Sequence, residues 1–455
     1  MSTTRFFEDD SLVETSLYVK QLPEEILKYP ICEEKFLVKV DGKFEKLRVV
    51  LYHAVLGIYG IDGVPKFILL SFVRSNYQVE ESHSQKYRID LMKFSNTQSL
   101  YTDALPTVKK WMEHLSKYCI NSNFYTKYKV KEQIGQGAFG KVFKVALESD
   151  ASIEYAAKIF DKKQMKKDDK RFLISEIKIL QIMEHQSIMG IIEVHETVDE
   201  VAVVLELLRH GQLSQFMANN QKISQTIIRE IMRQIFRGLE YMASLKIVHR
   251  DLKPSNILIE RYDKFEGEKL PILKIADVGV ACFEDQKDEF EFAGTYGFVA
   301  PENFQLLNKE LASSVRLTSK MDVYSAGVIF YMLITKRNPF KLSDDYPVAK
   351  ANEAGKVTFD SMYITRFSKV GISLLKLMLE AKPKSRISAK EALAHEFFKE
   401  VEPKSNHSTS PDKMKHSDSN KELKPPSQNQ PGMTAASSYR HMYLKKLRSK
   451  SAFDS

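Results

Sequence analysis

The chain has 455 residues, of which 43 % are hydrophobic and 28 % charged, with a formal net charge of +9. That length exceeds what one hydrophobic core serves, so two or three domains plus tails are expected, and no apolar run approaches the ~18 residues of a membrane span. Cys32, Cys119 and Cys282 stand far apart with no CxxC pair, which argues against a disulfide scaffold and for reduced thiols in a cytosolic or nuclear protein.

Residues 1–30 form an N-terminal extension. Its opening, MSTTRFFEDDSLVET, is acidic and has no apolar stretch of the secretory kind, so no export signal is expected. Residues 31–121 are strand-rich. Alternating runs (35-KFLVKV, 46-KLRVVLYHAVLGIYG, 65-PKFILLSFVR, 86-KYRIDLMKF) are separated by Asp41-Gly42 and Asp62-Gly63, the residue types that two-residue hairpin turns require. The block closes with 105-LPTVKKWMEHLSKYCI, in which Val108, Trp111, Met112, Leu115, Tyr118 and Cys119 fall on one helical face. Strands followed by one such helix around a central Trp resemble a pleckstrin-homology domain, a bent barrel plugged by its C-terminal helix. The resemblance implies that Lys39, Lys43, Lys46 and Arg48, on or beside the first hairpin, meet a phosphoinositide headgroup at a membrane surface. A domain of this kind that binds protein, or only covers its neighbour, is the alternative.

A polar link at 122–127 leads to a mixed block at 128–398. It begins with 134-IGQGAFGKVFKVAL. A GxGxxG followed by a helix would suit a dinucleotide; here an alternating strand follows, so the glycines make a flap between two strands. Gly135, Gly137 and Gly140 let backbone lie close over phosphates where a Cβ would collide. Lys158, in 155-YAAKIF, points an ammonium inward and needs a carboxylate. Glu176 supplies one from 172-FLISEIKILQIM, a predicted helix. In 247-IVHRDLKPSNILI, Asp251 can accept or orient a hydroxyl proton and Lys253 can steady a transferring phosphoryl group. Asn256 and, beyond it, Asp277 offer the oxygen ligands that Mg²⁺ selects.

Taken in order, GQGAFGKV, YAAK, HRDLKPSN, 277-DVG, 300-APE, 322-DVYSAGV and 386-RISAKEALAHEFF resemble a eukaryotic serine/threonine protein kinase catalytic domain of the calmodulin-dependent group. The implied fold class is α+β and multidomain: a bilobal kinase preceded by the pleckstrin-homology-type barrel and followed by a disordered tail. The resemblance implies Asp251 as catalytic base assisted by Lys253, Mg²⁺ on Asn256 and Asp277, and ATP held by Ile134, Gly135, Gly137, Gly140, Val142, Ala156, Lys158, Glu176, Leu205, Glu206, Leu208 and Leu258. Leu205 is the gatekeeper and Glu206–Leu208 the hinge. Arg386 is expected to brace Glu302, and Thr295 to brace Asp251 and Lys253. The implied partners are protein substrates, with no nucleic acid.

Three departures from the family pattern stand out. Val278 replaces the usual Phe of DFG, and Tyr324 a usual Trp. Gln212, Ser255 and Met332 occupy places where acidic residues read an upstream Arg, so no Arg-directed specificity is expected. The segment between Val278 and Gly294 holds no Ser, Thr or Tyr. The usual phosphorylated position falls on Glu291, which either mimics a phosphate toward Arg250 or simply faces water; a carboxylate carries less charge and fewer oxygens than a phosphate. Every residue the chemistry requires is present, and a pseudokinase scaffold is the rival reading. Residues 399–455 are rich in Ser, Pro, Asn and Lys and read as a disordered basic tail. Its end, 437–453, suits calmodulin, an acidic partner or lipid. The expected location is cytoplasmic, peripheral at the plasma membrane where lipid is bound.

Overall fold

The computed structural model describes residues 6–8, 16–19, 27–60, 64–80, 86–136, 140–284, 292–307, 315–340, 348–359 and 362–399. Gly137, Glu291, the Asp62-Gly63 turn and the 437–453 segment lie outside them.

The first block is an antiparallel sheet of β1 (Tyr18–Val19), β2 (Cys32–Val40), β3 (Lys43–Tyr52), β4 (Val55–Tyr59), β5 (Pro65–Leu69), β6 (Arg74–Val79), β7 (Tyr87–Lys93) and β8 (Asn96–Thr102). Their order is β1-β5-β4-β3-β2-β8-β7-β6. Alternation sets the faces: Phe36, Val38, Leu47 and Val49 are buried, while Lys39, Lys46 and Arg48 are exposed. Asp41 and Gly42 take φ of 47° and 85°, the left-handed pair a tight hairpin needs. The order ends at β1 on one side and β6 on the other, so among the described residues the ladder is an open sheet rather than a closed barrel. Helix α1 (Leu105–Tyr118) follows, with Val108, Trp111, Leu115 and Tyr118 buried. Trp111 meets Phe36 edge-on at 5.0 Å, so the expected apolar face closes the inner side of the sheet.

The second sheet runs β10-β11-β12-β14-β13-β9, with β9 (Ile120–Asn121), β10 (Tyr128–Gln136), β11 (Lys141–Leu147), β12 (Asp150–Asp161), β13 (Ile191–Glu196) and β14 (Glu200–Glu206). Two short helices, α2 (Phe124–Lys127) and α4 (Leu213–Asn219), flank it in sequence, and α3 (Lys167–Ile182) crosses between β12 and β13. A helical lobe follows, built on α5 (Gln225–Ser244) and on α6 (Lys320–Thr335), which is buried along almost its whole length. Between these two helices lie β15 (Ile247–Val248), β16 (Ile257–Phe265), β17 (Glu268–Ile275) and β18 (Cys282–Phe283). Among the described residues no helix is long and apolar enough to cross a membrane.

Two expectations need correction. The extension before residue 31 is not separate from the sheet: Tyr18–Val19 pair with β5, and Phe6, Phe7 and Leu17 are buried. The link expected at 122–127 carries the short helix α2 and packs against the second sheet. Ile120 and Asn121 run parallel to Val194 and His195 of β13, and Phe124 is buried against the rings of Tyr128 and His195. One apolar core therefore runs from Trp111 and Leu115 of the first block into Ile177 and Val194 of the second. A distinct core packs α5 against α6.

Candidate active site

The cleft between the second sheet and the helical lobe, of about 640 Å³, is where the chemistry-bearing residues meet. Its roof comes from the strands. The register sets Val142 opposite Lys158, and Ala156 opposite Leu205. Ile134, Val142, Ala156, Leu205 and Leu208 line it from above, with Leu258 and Ala276 opposite. These are the walls a flat apolar ring system needs. Glu206 also lines the cleft, but its carboxylate turns to Lys274 at 2.8 Å and to the Gly190 N–H at 2.5 Å. Only its backbone is therefore left for a ligand. Gly140 packs so closely that a Cβ would stand 2.9 Å from the Ile159 carbonyl oxygen. Gly135 meets only ordinary contact with Val142.

Lys158 reaches Glu176 of α3 at 2.6 Å. Burial opposes the ammonium charge, yet Glu176 and Asp277 outweigh it and raise the Lys158 pKa. Gly279 sits where these acids converge, with a notional Cβ 3.3 Å from Asp277 Oδ1 and 3.5 Å from Glu176 Oε2. Val278 is buried in the upper core, and the Lys158–Glu176 pair forms with the smaller side chain in place.

The floor is a hydrogen-bonded ring around Asp251. Lys253 Nζ donates to Asp251 Oδ2 at 2.8 Å and to Thr295 Oγ1 at 2.7 Å, and Thr295 Oγ1 donates to Asp251 Oδ1 at 2.6 Å. Asn256 Nδ2 donates to the Asp251 backbone oxygen at 2.9 Å and to Oδ2 at 3.1 Å. The amide nitrogen is thus committed, and the carbonyl oxygen of Asn256 is the atom left for a cation. Asp277, exposed to the cleft, supplies a carboxylate. Among the described residues no group of three or more His, Cys, Asp or Glu is placed to hold a metal. An amide oxygen and one carboxylate instead suit an ion that keeps water and phosphate oxygens in its shell.

Two backbone features hold the ring. Asp322, fully buried on α6, accepts the N–H groups of His249 and Arg250 at 2.8 and 3.0 Å. Arg250 and Asp277 take φ of 69° and 60°, conformations that cost non-glycine residues energy and concentrate at functional sites. Gly294, at φ 116°, passes so near Arg250 that a Cβ would lie 2.6 Å from its carbonyl oxygen. Arg386 clasps Glu302 at 2.7 and 2.9 Å, as expected.

Sequence reasoning missed His249, whose buried ring bonds the Ala276 carbonyl at 3.0 Å and so ties the Asp251 loop to the Asp277 segment. It also missed Phe172 and Met189 in the cleft wall; the only hint was their apolar character. Of the expected lipid residues, alternation puts Lys39, Lys46 and Arg48 on one outward face, with Lys43 on the other beside the turn. Arg48 is engaged by Glu33 at 2.6 Å and lies 5.0 Å over the Tyr59 ring.

Residues 128–398 match the protein kinase domain family. The chain belongs to that family. The kinase domain is similar to calcium-dependent protein kinase 4 of Plasmodium falciparum (34 % identical over 290 residues, covering 63 % of this chain and 52 % of the relative). It is also similar to the serine/threonine-protein kinase cds1 of Schizosaccharomyces pombe (30 % over 296 residues, 64 % and 62 %). A third relative is calcium/calmodulin-dependent protein kinase type 1 of Macrobrachium nipponense (31 % over 273 residues, 60 % and 75 %). This kinase chain spans about half the length of the Plasmodium relative.

Proposed function

We propose that the protein is an ATP- and Mg²⁺-dependent serine/threonine kinase acting on protein hydroxyls. The observation that carries this reading is one cleft holding the Lys158–Glu176 pair above and the Asp251–Lys253–Asn256–Thr295 ring below, with Asp277 between them. ATP and Mg²⁺, when bound, supply the γ-phosphoryl group and offset its charge. The chain's part is positioning and charge. Val142, Ala156, Leu205 and Leu258 sandwich the base, and the backbone from Glu206 to Leu208 meets its edge. Lys158, kept charged by Glu176, holds phosphate. Asp251 aligns the incoming hydroxyl and takes its proton, while Lys253, shared between Asp251 and Thr295, keeps a cation beside the developing charge. The serine/threonine assignment rests on Lys253 in HRDLKPSN and on the likeness to the serine/threonine-protein kinase cds1.

The test is phosphate transfer from labelled ATP to a generic protein substrate by the purified chain. Asp277→Ala and Asp251→Asn should each lower turnover by about 10²–10⁴. A wild-type chain that binds nucleotide but transfers nothing would favour the scaffold alternative.

Within the same proposal, residues 31–121 are a pleckstrin-homology-type module. The strand order, the terminal helix and the Trp111 plug support it. Lys39 and Lys46, on one exposed face, are its headgroup contacts, with Arg48 available once Glu33 releases it, so the protein would sit in the cytoplasm and at membranes carrying the lipid. Salt-sensitive binding to phosphoinositide vesicles, weakened by Lys46→Glu, is expected; equal binding to neutral vesicles argues for a protein partner instead. Among the described residues none from 31–121 lines the cleft, which supports a restraint that acts through the shared core and α3. Phosphate mimicry by Glu291 and capture of calmodulin or an acidic partner by 437–453 complete the reading. Unchanged turnover in Glu291→Ala and Glu291→Lys would remove the first; a Ca²⁺-independent pull-down would remove calmodulin, and no pull-down at low salt would remove the acidic partner.

A further inference from the structure

Phe6 and Phe7 stand in an acidic N-terminal stretch, yet they are 3 % and 2 % exposed. Phe7 stacks on Phe72, centroids 4.9 Å apart, and Phe6 meets Phe7 edge-on at 4.8 Å. Phe72 belongs to the turn between β5 and β6 and takes φ of 69°, strained for a bulky side chain. The three rings are gripped by α3. The Lys170 ammonium lies 5.6 Å over Phe6, and that of Lys178 lies 5.7 Å over Phe72. The Phe6 N–H donates to Glu196 Oε1 at 2.5 Å. Glu196, 4 % exposed, also takes Lys162 at 2.7 Å and Arg74 at 2.5 Å. One buried carboxylate thus joins the N-terminal helical turn at residues 6–8, the first sheet and the kinase sheet.

Helix geometry gives this contact a consequence. Each residue turns α3 by 100°, so Lys170, Ile174 and Lys178 form one stripe, and Glu176 lies about 160° around from Ile174. The aromatic cluster therefore bears on the side of α3 away from the cleft, and Glu176 emerges on the side facing Lys158. We infer that Phe6 and Phe7 are positioning residues: a cis-acting aromatic clamp, seated between Phe72 and the Lys170–Lys178 stripe, that holds α3 where Glu176 reaches Lys158. The seat is a binding site for a short Phe-Phe segment, and its occupant is Phe6 and Phe7 of this chain. The inference rests on the kinase reading, and it assigns the N-terminal block a supporting role for the catalytic lobe.

The experiment uses the full chain carrying Phe6→Ala and Phe7→Ala, with Lys170→Ala as a variant that leaves the core intact. Turnover, KM for ATP, thermal midpoint and amide exchange over residues 173–180 are measured, each with and without a synthetic peptide of residues 2–15. The expected result is a kcat lower by at least about fivefold, the low end of typical coupling between sites, together with faster exchange in α3. Both should revert with the peptide and not with one in which both Phe are Ala. Turnover within about twofold of wild type, or a loss that the peptide does not restore in a chain with unchanged melting, overturns the clamp. If wild type transfers no phosphate, the kinase reading has failed, and α3 exchange with peptide rescue still decides the clamp on its own.

Discussion

Asp251 illustrates how little freedom a reacting group has here. Both its carboxylate oxygens are engaged, Oδ1 by Thr295 and Oδ2 by Lys253 and Asn256, so its direction is set before any substrate arrives. Thr295→Ala removes the bond to Oδ1 and also the hydroxyl that accepts from Lys253. We expect kcat to fall by about tenfold, ~1.4 kcal/mol of barrier, with KM for ATP unchanged because Thr295 does not line the nucleotide walls. A rise in KM at constant kcat would show that Thr295 serves binding instead. Arg386 tests the opposite kind of residue. Its side chain is 0 % exposed and pairs with Glu302 at 9 %, and neither residue lines the cleft. Glu302→Ala leaves a buried guanidinium without its acid and should cost about 3–5 kcal/mol in urea unfolding. A loss below about 1 kcal/mol would place the pair among surface contacts.

Single elements divide into those that carry chemistry and those that hold them. Helix α1 is of the second kind. Its buried positions recur at three and four residues, and Trp111→Ala would open a cavity worth about 3–5 kcal/mol, readable as a lowered denaturation midpoint. Helix α3 is of both kinds, because the kinase cleft lies on one side and the first block on the other. Gln181 Nε2 donates to the Tyr118 carbonyl at 2.8 Å. Just beyond the helix, Glu184 accepts from His53 at 2.8 Å and Lys117 at 3.0 Å. The His53 bond, with Lys117 and against burial, holds the Glu184 carboxyl down from 4.5 to about 2. A carboxyl lowered on folding contributes fully above its ordinary pKa and loses that contribution as pH falls toward the folded one. The junction should therefore weaken between pH 4.5 and about 2. Thermal midpoints of wild type and Glu184→Gln should differ at pH 7 and converge toward pH 2; a constant gap would exclude Glu184 as the cause.

The whole molecule is organised by a boundary that the core ignores. Ile120 and Asn121 leave the first block and become an edge strand of the kinase sheet, and a single apolar cluster spans both. Chains with separate cores unfold in separate steps. Here calorimetry should give one transition for the first block together with the kinase sheet, and a protein truncated to 128–398 should melt lower than the full chain. Two resolved transitions in the intact protein, one matching an isolated 1–121 fragment, would contradict a shared core.

What the sequence by itself determined was which polar side chains come together at the cleft and in what order they occur: Lys158, Glu176, Asp251, Lys253, Asn256, Asp277 and Thr295 were legible because each sits in a short motif whose spacing is local. Helix α1 and the strands from β2 to β5 were legible for the same reason, since alternation and helical period act over a few residues. The polar strands β6 (RSNYQV) and β8 (NTQSLYT) were not, because β6 has no buried face and β8 buries the polar Gln98 and Thr102, so neither needs apolar alternation. Only the tertiary structure decided that Phe6 and Phe7 are buried, that Ile120 and Asn121 join the kinase sheet, and that α3 is held from behind. Burial of a segment depends on the surface it meets, and residues 6, 72, 170 and 196 are neighbours only once the chain has folded.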